Sequence, residues 1–236
     1  KSDRTFPLAE GKQMMLDSAA PLGPDYVKAL SAAVEARWMD VYPRPRKVAG
    51  AYMNGDAYDV HPFVLLNYTD NYEAVSTLTH EWGHAMHSVL ANKAQPSIYA
   101  PYSIFVAEIA STTNEALLLD ARLKQAKDDD ERLLYLGAAL ENLRGTFFRQ
   151  AMFAEFEAAI HGKVDKGESL TGEEITAIYA GILRRYHGEA QGVMTIDPAY
   201  ALEWAYVPHF YHGFYVFQYA TSIAAAQDFA QRILDK

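Results

Sequence analysis

The sequence predicts a mainly α-helical fold in which a small β-hairpin or sheet precedes a helix that carries two histidines. Long segments place apolar residues at helical spacing between capping residues, which predicts helices along most of the chain. One short stretch, residues 46–68, is instead rich in β-favouring residues. The chain has 236 residues and is 50% hydrophobic, which suffices for a sizeable core. We therefore expect one domain over residues 1–236.

The N-terminal part of the chain supplies a helix and then the β segment. Residues 24–40 have helical character, and Pro43 and Pro45 close that helix. Residues 46–68 favour β structure on both sides of Asn54-Gly55, which predicts two strands joined by a loop. A strand here either pairs with an extended peptide through its backbone or belongs to an ordinary covered hairpin.

Residues 80–84 read His-Glu-Trp-Gly-His and carry most of the functional information. They follow polar capping residues at 70–73, within a predicted helix of about 20 residues. His80 and His84 are then at i and i+4 on one helix face, which suits two ligands of a tetrahedral zinc ion. Glu81 is placed to act as general base on a zinc-bound water. The alternative is a helix with two satisfied or solvated histidines.

A third metal ligand is expected from a following helix, because positions 87 and 90 do not supply the Gly and His of a longer zinc motif. Residues 103–123 form a strong helical candidate, and within it Glu108 has apolar neighbours. A lone carboxylate costs several kcal/mol to bury unless it is paired or binds a metal. Glu108 is therefore the predicted third ligand. Gly83, which has no side chain, allows this second helix to approach the metal.

Glu115 lies seven residues after Glu108, two turns along the same helix face. From there it can hydrogen-bond the far nitrogen of a metal-bound histidine, although a surface position is the alternative. His87 is interpreted as a supporting or simply packed residue. Two imidazoles and one carboxylate leave one coordination position open, whereas structural zinc sites are usually closed and rich in Cys. The chain has no Cys, so the pattern favours one catalytic zinc ion per chain.

The second half of the sequence predicts three further helices. Residues 131–163 form a long helix, with its phenylalanines expected in the core (Phe147, Phe148, Phe153 and Phe156). Thr171-Gly-Glu-Glu174 has capping-box spacing and begins a helix that ends near Arg185. Residues 188–198 are predicted as a loop.

The last helix is predicted to begin near Pro208, a good residue for a first turn. Tyr211, Tyr215 and Tyr219 recur at i, i+4 and i+8 and would form one stripe on it. Such a stripe indicates either core packing or polar groups that donate to an oxyanion near the metal, since buried phenols need hydrogen-bond partners.

Charge and composition exclude several classes of partner. The net charge of −9 argues against nucleic acid and anionic membrane surfaces. No apolar run approaches the ~18 residues of a membrane span. The lack of Cys fits a reducing compartment. The chain begins with Lys1 and has no signal-like segment, so we expect a fragment of a longer protein.

Taken in order, several motifs resemble the thimet oligopeptidase group of zinc peptidases, and most closely its oligoendopeptidase F branch. They are His80-Glu-Trp-Gly-His-Ala-Met-His87, Phe105-Val-Ala-Glu-Ile-Ala-Ser-Thr112 with Asn114-Glu115, residues 144–157, and Pro208-His-Phe-Tyr211 with Tyr215-Val-Phe-Gln-Tyr-Ala220. The resemblance covers essentially the whole chain, but only the C-terminal catalytic portion of such enzymes.

The resemblance implies a role for each matched residue. His80, His84 and Glu108 would bind zinc, with Glu81 as the base. By the same resemblance, His209, Tyr215 and Tyr219 would stabilise the transition state, and the segment Gly50-Ala51-Tyr52 would align the substrate. His212 stands where another residue type is expected and receives no role.

The resemblance further implies a zincin-like, mainly helical enzyme of the cytoplasm that cuts short peptides in a channel between two lobes. The N-terminal lobe, which would form the other channel wall, is missing from this chain. The expected function is therefore zinc-dependent hydrolysis of oligopeptides. The alternative is a zinc-binding fragment that is inactive without the missing lobe. A protease of thermolysin type that digests large proteins conflicts with the other matched motifs.

Overall fold

A computed structural model describes residues 4–236, which are mainly helical with one small sheet. The helices are α1 (Leu8–Ser18), α2 (Pro24–Glu35), α3 (Tyr72–Ala94), α4 (Ile104–Gln125), α5 (Asp129–Leu143), α6 (Arg149–Val164), α7 (Gly172–Tyr186) and α8 (Phe217–Leu234). The strands are β1 (Met39–Asp40), β2 (Tyr52–Asn54) and β3 (Phe63–Leu65). Every helix within this range is too short or too polar to cross a bilayer. The predicted mainly helical fold with a small sheet before the two-histidine helix is confirmed.

The chain divides into two compact units. The first unit comprises the residues up to Glu141 together with Ser222–Lys236, and the second unit is Asn142–Thr221.

The sheet of the first unit has the strand order β1-β3-β2. The predicted pair β2 and β3 is present and antiparallel, with Tyr52 opposite Leu65. The prediction of a helix over residues 24–40 is wrong at its end, because α2 stops at Glu35 and β1 pairs in parallel with β3. Arg37 has a left-handed φ of 64°, which ends the helical path. The carbonyl of Trp38 then accepts a hydrogen bond from the Val64 N–H at 2.8 Å.

Helix α3 runs through the core of the first unit. Its apolar face buries Val75, Leu78 and Trp82 completely, and they join one cluster with residues of α1, α2 and α4 such as Leu30 and Leu118. Burying a large apolar side chain contributes about 1.5–3 kcal/mol. The helix that carries the histidine motif is therefore fixed by the core itself.

The second unit has its own core, formed by Phe153 and Phe156 of α6 with Tyr179 and Leu183 of α7. The predicted helix over residues 131–163 is present but is interrupted by a π-helical segment at Arg144–Phe148. The expectation that all four phenylalanines lie in the core is wrong for Phe147, which is only half-buried and in neither core cluster, and for Phe148, which is 52% exposed.

The capping box predicted at Thr171 and Glu174 is present, and α7 begins directly after its N-cap residue Thr171. The prediction that the last helix begins near Pro208 is wrong. Pro208–Tyr211 is a single 3₁₀ turn, Phe214 has a left-handed φ of 59°, and α8 begins only at Phe217. The predicted stripe therefore does not form, and Tyr211 is 81% exposed.

Candidate metal centre

Helix α3 presents two histidines one turn apart. The helix is capped by Asn71, whose side chain accepts a hydrogen bond from the Ala74 N–H at 2.8 Å. His80 and His84 follow on one face, with ring centroids 4.8 Å apart and ring planes at 83°. The spacing predicted from the sequence is therefore realised.

Helix α4 brings a carboxylate to these two rings. The Oε2 atom of Glu108 lies 3.2 Å from Nε2 of His80 and 3.4 Å from Nε2 of His84. Glu108 is buried, and Ser111 donates a hydrogen bond to the same Oε2 atom at 3.1 Å. The predicted carboxylate thus faces both imidazoles.

Gly83 allows this close approach of the two helices. A Cβ atom at Gly83 would lie 2.7 Å from the Cα of Ser111 and 3.0 Å from the carbonyl oxygen of Ala110. No side chain larger than hydrogen fits there without moving the backbone of α4. The sequence-based explanation of this glycine agrees with the structure.

The three side chains fit a tetrahedral metal ion. One donor atom each from His80, His84 and Glu108 lies within 4.8 Å of the others. Ligands at about 2.0–2.2 Å from a tetrahedral zinc ion are about 3.3–3.6 Å from one another, close to the two His–Glu separations. No second group of three such side chains that could hold a metal occurs within residues 4–236. Two imidazoles and one carboxylate form a donor set typical of catalytic rather than structural zinc.

Electrostatics favour a cation at this position. Burial alone would raise the pKa of Glu108, but hydrogen bonds from His80 and His84 hold that pKa well below its usual range. Burial likewise opposes a charge on His80, yet the neighbouring carboxylates of Glu115 and Glu108 raise its pKa well above the ordinary value. A cluster that attracts protons in this way also attracts a metal ion, which would displace them.

Glu115 contacts the opposite side of His80. Its Oε2 atom lies 3.2 Å from Nδ1 of His80, and its Oε1 atom accepts a hydrogen bond from Ser76 at 2.8 Å. A carboxylate at Nδ1 keeps the proton there and leaves the lone pair of Nε2 for a metal. The contact expected for Glu115 is present. Ser76 was not predicted, although it lies one turn before His80 on the same helix.

Glu81 is buried, with only 6% of its surface exposed. Burial raises the pKa of its carboxyl group above the ordinary value. A carboxylate whose basicity is raised in this way accepts a proton more readily than one in water. Glu81 directly follows His80 on α3, a position that suits its predicted role as general base.

His209, Tyr215 and Tyr219 form one aromatic cluster in the second unit. The rings of His209 and Tyr215 are stacked at 5.7 Å and 17°, and the hydroxyl oxygens of Tyr215 and Tyr219 lie 2.8 Å apart. Burial, and to a smaller degree His212, lower the pKa of His209. The structure thus brings the three residues together, although only Tyr219 belongs to an α-helix and His209 lies in the 3₁₀ turn.

The segment Gly50-Ala51-Tyr52 leads into the edge strand β2. Gly50 has a φ of 85°, a conformation that favours glycine, and its carbonyl accepts a hydrogen bond from Asn67 at 2.8 Å. Within the described sheet β2 pairs on one side only, and Tyr52 is 49% exposed. An edge of this kind can accept an added strand.

His87 lies one turn beyond His84 but faces another group. Its ring stacks on Tyr102 with centroids 3.8 Å apart, and the Tyr102 hydroxyl lies 2.8 Å from the hydroxyl of Ser88. Burial lowers the pKa of His87. His87 is thus packed and is not part of the three-ligand cluster.

Comparison with known proteins gives consistent matches over the whole chain. Peptidase family M3 matches residues 5–236. Oligopeptidase PepF of Bacillus subtilis is 48% identical over 225 residues, which cover 95% of this chain and 33% of that protein. The chain thus spans about a third of the length of this curated relative.

Two solved structures share the fold. A candidate peptidase from Chlamydophila abortus is 41% identical with a TM-score of 0.80, and the match covers 99% of this chain and 39% of that one. Oligoendopeptidase-F from Enterococcus faecium is 28% identical with a TM-score of 0.61, and the match covers 99% of this chain and 36% of that one.

Proposed function

This chain belongs to peptidase family M3, and we propose that it is the catalytic portion of a zinc metalloendopeptidase that hydrolyses peptide bonds in short oligopeptides. The observation that carries the proposal is the cluster of His80, His84 and Glu108, whose donor atoms lie within 4.8 Å of one another. The buried Glu81 follows the first of these residues directly. The similarity to an oligopeptidase and to an oligoendopeptidase supports the same reaction class.

The proposed mechanism assigns one task to each group. A zinc ion held by His80, His84 and Glu108 would supply a Lewis acid for the scissile carbonyl and lower the pKa of a water molecule. Glu81 accepts a proton from the attacking water and passes it to the departing amine. Glu115 keeps the proton of His80 on Nδ1 and so fixes the orientation of that ring.

The aromatic cluster of the second unit has the chemistry of an oxyanion site. We assign donation of hydrogen bonds to the developing negative charge to His209, Tyr215 and Tyr219. Removing one donor of this kind costs about 10²–10³ in kcat. The lowered pKa of His209 keeps its imidazole neutral near pH 7, so that one ring nitrogen donates.

The proposed substrate contact is the free edge at Gly50-Ala51-Tyr52. An extended peptide pairs there through its backbone, which tolerates many side chains. We propose oligopeptides as substrates, the cytoplasm as the location, and a further lobe of the protein as the other wall of the substrate channel. The lack of Cys supports a reducing compartment.

Hydrolysis of a fluorescence-quenched oligopeptide tests the proposal. The chain is stripped of metal, one equivalent of zinc is returned, and turnover is measured for the wild type and for Glu81→Gln. We expect zinc-dependent turnover that Glu81→Gln abolishes while the bound zinc remains. Glu73→Gln is the matched control, because Glu73 is exposed in the first turn of the same helix. Near-normal turnover by Glu81→Gln would refute the assignment of the base.

A second candidate function is a zinc-binding portion that does not turn over alone. It is supported by the span of the chain, which covers 33% of the length of oligopeptidase PepF. A misplacement of about 1 Å at a half-built channel can cost 10²-fold in rate. Stoichiometric zinc with no hydrolysis in the wild type would favour this second candidate.

A further inference from the structure

A buried carboxylate in the second unit holds the turn that precedes the proposed catalytic tyrosines. Glu157 of α6 is fully buried, and its Oε1 atom accepts a hydrogen bond from the backbone N–H of Phe214 at 2.8 Å. Phe214 is one of four non-glycine residues with positive φ within residues 4–236, at 59°. The next residue in the chain is Tyr215.

The left-handed conformation of Phe214 and the buried carboxylate of Glu157 both cost folding free energy, which indicates that they serve a function. A non-glycine residue held in the left-handed region costs about 1–3 kcal/mol, and such strain clusters at functional sites. The Oε2 atom of Glu157 is buried and has no hydrogen-bond partner among the described residues. Burial raises the pKa of this carboxyl group. An apolar side chain would fill the same space in the core without that penalty.

The backbone turn at Phe214 determines where Tyr215, the next residue, is placed in the aromatic cluster. Phe214 lies three residues before α8, and its ring packs against His161, with centroids 4.7 Å apart. The Tyr215 ring packs against the same core as α6, and its hydroxyl oxygen lies 2.8 Å from that of Tyr219. A change of φ at Phe214 would rotate the chain directly before Tyr215 and break this contact.

We propose that Glu157 is a positioning residue for the oxyanion cluster: its carboxylate fixes the left-handed Phe214 and thereby the placement of Tyr215 and Tyr219. This inference rests on the proposed function for its catalytic consequence. The positioning itself is a property of the second unit and is measurable without turnover.

The test uses the whole chain with Glu157→Leu, which removes the acceptor, and Glu157→Gln, which keeps a carbonyl oxygen at Oε1. Glu157→Met replaces the leucine variant if that variant does not fold. Glu155→Leu is the matched control, because Glu155 lies on the same helix but pairs with Arg185. Amide exchange of Phe214 is read from ¹⁵N-phenylalanine spectra, and the ring resonances of Tyr215 and Tyr219 from labelled tyrosine.

In Glu157→Leu we expect at least tenfold faster exchange at Phe214 and displaced tyrosine ring resonances. We expect kcat to fall by about 10–100-fold, with KM within about threefold, as for misplaced catalytic groups. Glu157→Gln and Glu155→Leu should behave as the wild type in every readout. Unchanged exchange and ring resonances in Glu157→Leu would overturn the inference whatever the activity. If the resonances move but the zinc-loaded wild type does not hydrolyse peptides, the proposed function fails and the positioning role stands.

Discussion

The close packing of α3 against α4 at Gly83 makes a quantitative prediction for Gly83→Ala. The added Cβ would lie 2.7 Å from the Cα of Ser111, about 0.7 Å short of the 3.4 Å at which ordinary contact begins. The obstacle is backbone, so the side chain cannot simply rotate away. The two helices must separate by roughly this amount.

The separation has two consequences. Overpacking lowers the free energy of unfolding by about 1–3 kcal/mol, and the better helix propensity of alanine offsets about 1 kcal/mol of that loss. We therefore expect a net loss of stability of up to about 2 kcal/mol. A shift of ~0.7 Å between Glu108 and the histidines also exceeds the ±0.2 Å tolerance of metal–ligand distances. Zinc affinity should fall at least about 10-fold.

Thermal unfolding and competition with a chromophoric zinc chelator measure the two effects of Gly83→Ala. Gly137→Ala is the matched control, because Gly137 lies within α5 and a Cβ there would meet nothing within 4 Å. That control should be stabilised by about 0.5–1 kcal/mol with unchanged zinc affinity. The reasoning is refuted if Gly83→Ala melts and binds zinc like the wild type.

Three further predictions concern separate parts of the molecule. Glu115→Ala removes the partner of His80 Nδ1 and should weaken zinc binding about 10–100-fold, as measured by chelator competition; unchanged affinity would contradict its role. Thr171→Ala breaks the capping box of α7 and should cost about 1 kcal/mol in thermal stability, whereas an unchanged melting temperature would show that the cap contributes nothing. The hydrogen bond from Arg44 lowers the pKa of Asp40 to about 2 from 3.8. Because the folded-state value is the lower one, this stabilisation is present above pH 3.8 and is lost as the pH falls through about 2. As the pH falls over that interval, the free energy of unfolding of Asp40→Asn should therefore decrease less than that of the wild type, as measured by urea unfolding. Identical pH profiles would contradict the assignment.

Local patterns were sufficient to predict that His80, His84 and Glu108 come together. The histidines are four residues apart on one helix, and Glu108 stands out as a carboxylate among apolar neighbours, so that both signals lie within single helices. The need for a small residue at Gly83 follows from the same helix-on-helix geometry. The capping box at Thr171 is also a purely local signal.

Features that depend on distant partners were missed. Strand β1 exists because Met39 and Asp40 pair with β3, more than twenty residues later in the chain, which no local pattern shows. The last helix starts late because Phe214 is held in the left-handed region by Glu157, a residue on another helix. Ser76 was missed because its significance depends on Glu115 of α4.

Zinc titration of the metal-free chain tests the central claim, which is that His80, His84 and Glu108 form a metal site beside Glu81. The wild type and Glu81→Gln should each bind one zinc ion per chain. Glu108→Gln should bind more than about 100-fold more weakly, because it loses a direct ligand rather than an outer partner. Equal zinc affinity in Glu108→Gln and the wild type would contradict the claim.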